Sequence, residues 1–121
     1  DAGDAPIAAS MHPFGYFLAV TFNAKVRLFF ILAKGLQLHT EISLSGAKAV
    51  RFSNGGHLLA IAQGKFVHLF STRTMTKTTT LQGHAHGISA LCFDPEDTML
   101  WTCGSDGQLC CWDALTGERL G

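Results

Sequence analysis

Hydrophobic residues fall in short stretches separated by turn formers, in an order that recurs three times along the chain. Each unit opens with an apolar stretch and a turn rich in Pro, Gly, Asn or Asp, at His12 to Gly15, Ser53 to Gly56 and Asp94 to Asp97. A second apolar stretch follows, then a tight turn, then a third stretch in which apolar and polar residues alternate. Val26 and Leu28 show that alternation in the first unit, Val67 and Leu69 in the second. A period of two is that of a strand with one buried face. The tight turns are expected at Asn23-Ala24, Gln63-Gly64 and Asp106-Gly107. The last is a strong hairpin signal, because Asp and Gly both tolerate positive φ. A fourth stretch, Leu38 to Ser43 in one unit and Thr78 to Leu81 in the next, carries few core positions. It suits an outer edge strand, blunted by Lys77 and a run of Thr. No segment shows helical periodicity with caps. The pattern predicts an all-β chain.

The units superimpose at a fixed spacing. Met11, Phe52 and Phe93 correspond and lie 41 and 41 residues apart; Phe29, Phe70 and Trp112 correspond and lie 41 and 42 apart. A repeat of this length is that of four-stranded propeller blades. The expected architecture is three four-stranded antiparallel blades forming an open partial arc of a β-propeller. The blades are placed at 1–45, 46–82 and 83–121, the third without its outermost strand.

Composition narrows the function classes. The 121 residues carry 9 basic and 9 acidic side chains, and only 15% of the chain is charged, against roughly a quarter in ordinary domains. A balanced charge removes the global field of a nucleic-acid or membrane-surface binder, and no uncharged apolar run is long enough to span a bilayer. Nine Phe and two Trp argue against disorder. The chain opens on Asp1 with no signal-peptide pattern, and it is read as a piece of a longer polypeptide. Cys92, Cys103, Cys110 and Cys111 form no CxxC pair; they read as small apolar strand residues in preference to zinc ligands with His84 and His86. No nucleophile elbow, P-loop or HExxH motif is present, so no catalytic residue, metal or cofactor is assigned.

The third unit carries sharper marks. Gly83-His84 opens it, Gly104-Ser105-Asp106-Gly107 forms its turn and Trp112-Asp113 closes it. This resembles the WD-repeat family over nearly the whole chain. The family's buried hydrogen-bond tetrad is carried over to His84, Thr102, Asp106 and Trp112, with Asp106 lying 22 after His84, 4 after Thr102 and 6 before Trp112. A half-buried carboxylate and imidazole need such partners, since desolvation otherwise costs about 1–3 kcal/mol each. The first two units end in Phe29 and Phe70 and lack the Gly-His opening, so they read as degenerate blades held by apolar packing. The stretches from Met11 to Val20, Phe52 to Ala60 and Thr102 to Gly107 resemble cilia- and flagella-associated WD-repeat proteins.

That resemblance implies a non-catalytic scaffold in the ciliary or flagellar axoneme, helping to assemble or anchor dynein-arm regulators on doublet microtubules. The alternative is a WD-repeat adaptor outside cilia, such as a ubiquitin-ligase substrate receptor or a vesicle-coat or RNA-processing propeller. Implied partners are other protein subunits, among them axonemal dynein regulators, tubulin or neighbouring blades. Charge is segregated: from Lys25 to Lys77 there are eight basic residues and one acid, and from Thr78 onward six acids and one base. Lys25, Lys48, Lys65 and His86 are expected on one propeller face as a partner-binding set. His12, Phe14, Tyr16, His57, Glu96 and Asp97 are expected on the other. Phe14 in a turn, and Phe30 after the blade-ending aromatic, are either contact residues for a neighbour or tucked under their own loops. An open arc also leaves two apolar blade faces for partners to cover.

Overall fold

Residues 6–74, 76–82, 87–105 and 107–120 are described by the computed structural model. Among these described residues eleven strands form three antiparallel meanders. The first sheet runs β1 (Ala8–Met11), β2 (Phe17–Thr21), β3 (Val26–Leu32), β4 (Gly35–Ile42) in spatial order. The second runs β5 (Ala47–Phe52), β6 (Leu58–Gln63), β7 (Phe66–Ser71), β8 (Thr76–Gln82). The third has β9 (Ile88–Phe93), β10 (Met99–Gly104) and β11 (Leu109–Asp113) among the described residues, with an isolated bridge from Trp112 to Arg119 beyond them. Among the described residues no helix is long and apolar enough to cross a membrane.

The same turn is built at the first hairpin of every blade. The fourth residue's N–H returns to the first residue's carbonyl: Gly15 to His12 at 2.9 Å, Gly56 to Ser53 at 3.0 Å and Asp97 to Asp94 at 3.0 Å. That fourth residue is left-handed each time, with φ of 78°, 78° and 60°. Glycine adopts this conformation without penalty, and aspartate is one of the few other side chains that tolerates it. Next along the chain, the second hairpin differs by one residue from the sequence expectation in the middle blade. Gln63 pairs with Phe66, so the two-residue loop is Gly64-Lys65, with Gly64 at φ 58°.

Pairing across each sheet puts whole rows of side chains on one face. In the second blade Phe52, Leu59 and Phe70 form such a row, and it packs on Ala19, Val26 and Leu28 of the first. In the third, Phe93, Leu100 and Trp112 form the matching row, packed on Ala60, Val67 and Leu69 of the second. Small alanines on one blade receive large rings from the next, which gives two apolar, interlocking junctions. Between them the inner strands are also tied directly, the Phe52 N–H reaching the Ser10 hydroxyl at 3.2 Å. The matching row on the first blade, Met11, Leu18, Phe29 and Leu38, faces outward, and Met11 is 63% exposed. At the far end of the arc Trp101 stands where the inner blades have alanine and is 38% exposed.

Candidate protein-interaction surfaces

The two ends of the sheets are built from different turns. At one end lie Asn23-Ala24, Ser45 to Lys48 and Gly64-Lys65. They are laced together: the Gly46 N–H donates to the Asn23 carbonyl at 2.8 Å, the Gln63 side chain donates to the Ser45 carbonyl at 2.8 Å, and the Ile88 N–H donates to the Gly64 carbonyl at 2.8 Å. Lys65 is exposed in its loop, and exposed Lys48 is the extra residue where β5 bulges between Ala47 and Ala49. Lys25 is half-buried near Glu41. The Glu41 carboxyl lies below its ordinary range, chiefly because Arg27 Nε donates to it at 2.7 Å, with the charge of Lys25 adding to the effect. Three of the four expected basic residues therefore share this end; His86 lies outside the described residues.

The opposite end is a set of clamps between blades. His12 lies at this end, and it is buried. Its Nδ1 accepts from the Phe14 N–H at 3.1 Å, so Nε2 carries the proton and donates to the Gly56 carbonyl of the next blade at 3.1 Å. Phe14, Tyr16, Phe17 and Phe52 surround the ring, the nearest centroid at 5.3 Å. Asp97 repeats this reach one blade along. Its carboxylate accepts the Asn54 N–H at 2.8 Å and the Gly55 N–H at 2.6 Å, with His57 Nδ1 at 3.9 Å. The left-handed strain at Asp97 is thus offset by two charge-assisted bonds to the neighbouring turn. Asn54 adds a third tie by donating to the Asp94 carbonyl at 2.7 Å. Asp94 caps its own turn, and its carboxyl is held below the ordinary range chiefly by the Met99 N–H. Sequence reading missed both clamps. The available signal was Asp97 standing where the aligned units have Gly15 and Gly56.

Of the two Phe residues, Phe14 is exposed beside His12 and Tyr16. Phe30 is half-buried in its own blade, its ring centroid 4.5 Å from His39 and 5.5 Å from Phe17. In the core of the third blade the Trp112 indole N–H donates to the Thr102 hydroxyl at 2.9 Å, both side chains being fully enclosed. His84 and Asp106 lie outside the described residues. The four cysteines are free thiols. No group of three or more His, Cys, Asp or Glu among the described residues is placed to hold a metal ion.

Residues 75–113, which span the third blade's turn and its Trp112, match the family model of the WD domain, G-beta repeat. The chain belongs to the WD-repeat family. Among its relatives it is 36% identical over 110 residues to cilia- and flagella-associated protein 57 of Mus musculus, a match covering 91% of this chain and 9% of that protein. It is 29% identical over 106 residues to cilia- and flagella-associated protein 57 A of Tetrahymena thermophila, covering 87% of this chain and 8% of that one. This WD-repeat chain therefore spans under a tenth of the length of these curated relatives. In structure it superimposes on the crystal structure of the RRP9 WD40 repeats with a TM-score of 0.91, over 100% of this chain and 39% of that chain, at 13% identity. At that identity the likeness establishes the propeller fold alone.

Proposed function

We propose that the chain is part of a larger WD-repeat propeller that serves as a non-catalytic protein-interaction scaffold in the cilium or flagellum. The observation that carries this reading is the end of the sheets where Lys25, Lys48 and Lys65 come together on interlocked turns, in a chain whose relatives bear ciliary names. A cluster of lysines on rigid turns suits an acidic protein surface, and the axoneme offers two, the tubulin lattice and the dynein-arm regulators. Electrostatic complementarity of this kind steers association and weakens with salt. The test is co-sedimentation of the full chain with demembranated axonemes. Binding that falls several-fold on Lys48→Glu with Lys65→Glu, and falls as salt rises, supports the proposal. Sedimentation unchanged by both substitutions removes the lysine end from the interface, and no sedimentation at all removes the ciliary placement.

In the same reading His84 and Asp106 extend the Trp112–Thr102 pair into a four-membered relay that locks the third blade. His84→Ala should then lower the melting temperature more than substitution of an exposed residue such as Glu96 does.

A further inference from the structure

Corresponding corners of the two blade junctions, at the clamp end, are filled differently. Between the first and second blades the corner is packed with rings. Phe17, Phe30 and His39 stack there, with Phe17 and His39 centroids 5.7 Å apart, and the buried His12 ring lies beside them. Between the second and third blades the matching positions hold Leu58, Ser71 and Thr78, with Ser53 in place of His12. Thr78 and His39 are strict counterparts, because each is the extra residue at the same outer-strand bulge, after Leu69 in one blade and after Leu28 in the other. Four rings give way to four smaller side chains, and a groove of about 480 Å³ opens at the second corner. That volume falls in the range of sites that enclose a ligand or a few peptide side chains.

The groove has a definite chemistry. Leu58, Ala114 and Leu115 supply apolar wall, and Leu115 is 82% exposed. Glu96, Asp97 and Asp113 stand around it with His57, and among the described residues no Lys or Arg lines it. The Asp113 carboxyl is stabilised as the anion by the N–H groups of Thr116 and Leu115, so it stays charged well into the acid range. At the filled corner the positions of Glu96, Asp97 and Asp113 are Gly55, Gly56 and Ser71, and that of Leu115 is Arg73. Both the space and the negative charge are thus particular to the second corner.

We propose that this groove between the second and third blades binds a short segment of a partner protein that carries apolar side chains flanked by Lys or Arg. The apolar side chains would enter against Leu58 and Leu115, and the cationic ones would meet exposed Glu96 and half-buried Asp113 at the rim, while Asp97 stays engaged in its clamp. The inference rests on the scaffold reading and adds to it a second surface, opposite in sign to the lysine end and at the other end of the sheets.

The test is fluorescence anisotropy on the full chain with a labelled peptide that alternates leucine with arginine and lysine. Its glutamate counterpart and a glutamine counterpart serve as controls. Binding of the basic peptide alone is expected, weakened about tenfold each by Glu96→Lys and Leu115→Ser, a loss of about 1.4 kcal/mol apiece. Both residues are exposed, so both variants should keep the parent's melting temperature. Amide shifts on titration should centre on His57, Leu58 and residues 113–116. Equal binding of the acidic peptide, undiminished binding by both variants, shifts confined to other residues, or no binding of the basic peptide overturns the groove. Axonemal sedimentation retained without peptide binding defeats the groove alone; peptide binding without sedimentation defeats the ciliary placement alone.

Discussion

In the second blade Ile61 and Phe70 occupy the positions that Thr102 and Trp112 occupy in the third. The strands pair in the same register, and both rows are buried against the preceding blade. One pair is wholly apolar, and the other encloses a hydrogen bond of 2.9 Å. Blade geometry therefore does not require the polar pair; packing of a large ring on a neighbour's alanine and leucine is enough. The hydrogen bond is needed only because Trp brings an N–H into the core, which must be satisfied once buried. The second blade instead buries His68, whose Nε2 meets the Gln63 amide oxygen at 2.8 Å and whose Nδ1 faces the Thr80 hydroxyl at 3.5 Å. Each blade carries buried polar groups, at different points of the same frame.

Deleting the ring altogether gives the largest expected effect. Trp112→Ala should destabilise the protein by about 4 kcal/mol in denaturant titration, since it empties the centre of the second junction. A loss below about 1 kcal/mol would mean that the row Phe93, Leu100, Trp112 does not hold the third blade on the second. Next comes the turn position that is Gly56 in one blade and Asp97 in the next. A side chain at Gly56 would land on the His12 ring in a left-handed conformation. Gly56→Ala should therefore cost about 3 kcal/mol, combining backbone strain with overpacking. Gly15→Ala shares the conformation but meets open space, and should cost about 1 kcal/mol.

Importing the second blade's pair into the third gives a smaller but sharper comparison. Thr102→Ile alone orphans the indole N–H and should cost about 2 kcal/mol. Adding Trp112→Phe should recover much of that loss, with a coupling of about 1 kcal/mol in the double-mutant cycle. Strict additivity would show that the two side chains do not act as a pair.

The smallest effect is one of pH. Burial, helped by the charge of Lys77, holds the His68 pKa below its ordinary value. Because the folded state resists the proton that the unfolded chain accepts, the stability is fully present above the ordinary His range and is lost as pH falls through it. The melting temperature should drop between about pH 7.5 and about pH 5.5, and drop less in His68→Gln. Asp94 and Asp113 have the usual carboxylate sign, their anions being held by backbone N–H groups, so their contribution is lost only in more acidic solution.

How much of this was legible from the chain alone depended on the range of each interaction. Strand alternation at Val26 and Leu28 and the turn at Ser53 to Gly56 are set by neighbours a few residues away, and the sequence shows them directly. The lysine end was also legible, since repeat phase assigns each hairpin to one end or the other. The middle tight turn came out one residue late because Gln63 and Gly64 are both acceptable turn residues, and the choice between registers belongs to the pairing of Gln63 with Phe66. The burial of His12 was not legible, because nothing local tells a histidine that its Nε2 will meet a carbonyl 44 residues further on.

The all-β class, the spacing of the blades and the residues that face into them can be read along the chain. Those follow from a two-residue period and from turn chemistry, both properties of neighbouring residues. The meeting of successive blades in space is what makes His12 and Asp97 bridge them, and what packs one corner with rings while its counterpart stays open. Both depend on atoms brought together from turns some forty residues apart, where shape and charge are matched in space rather than along the chain.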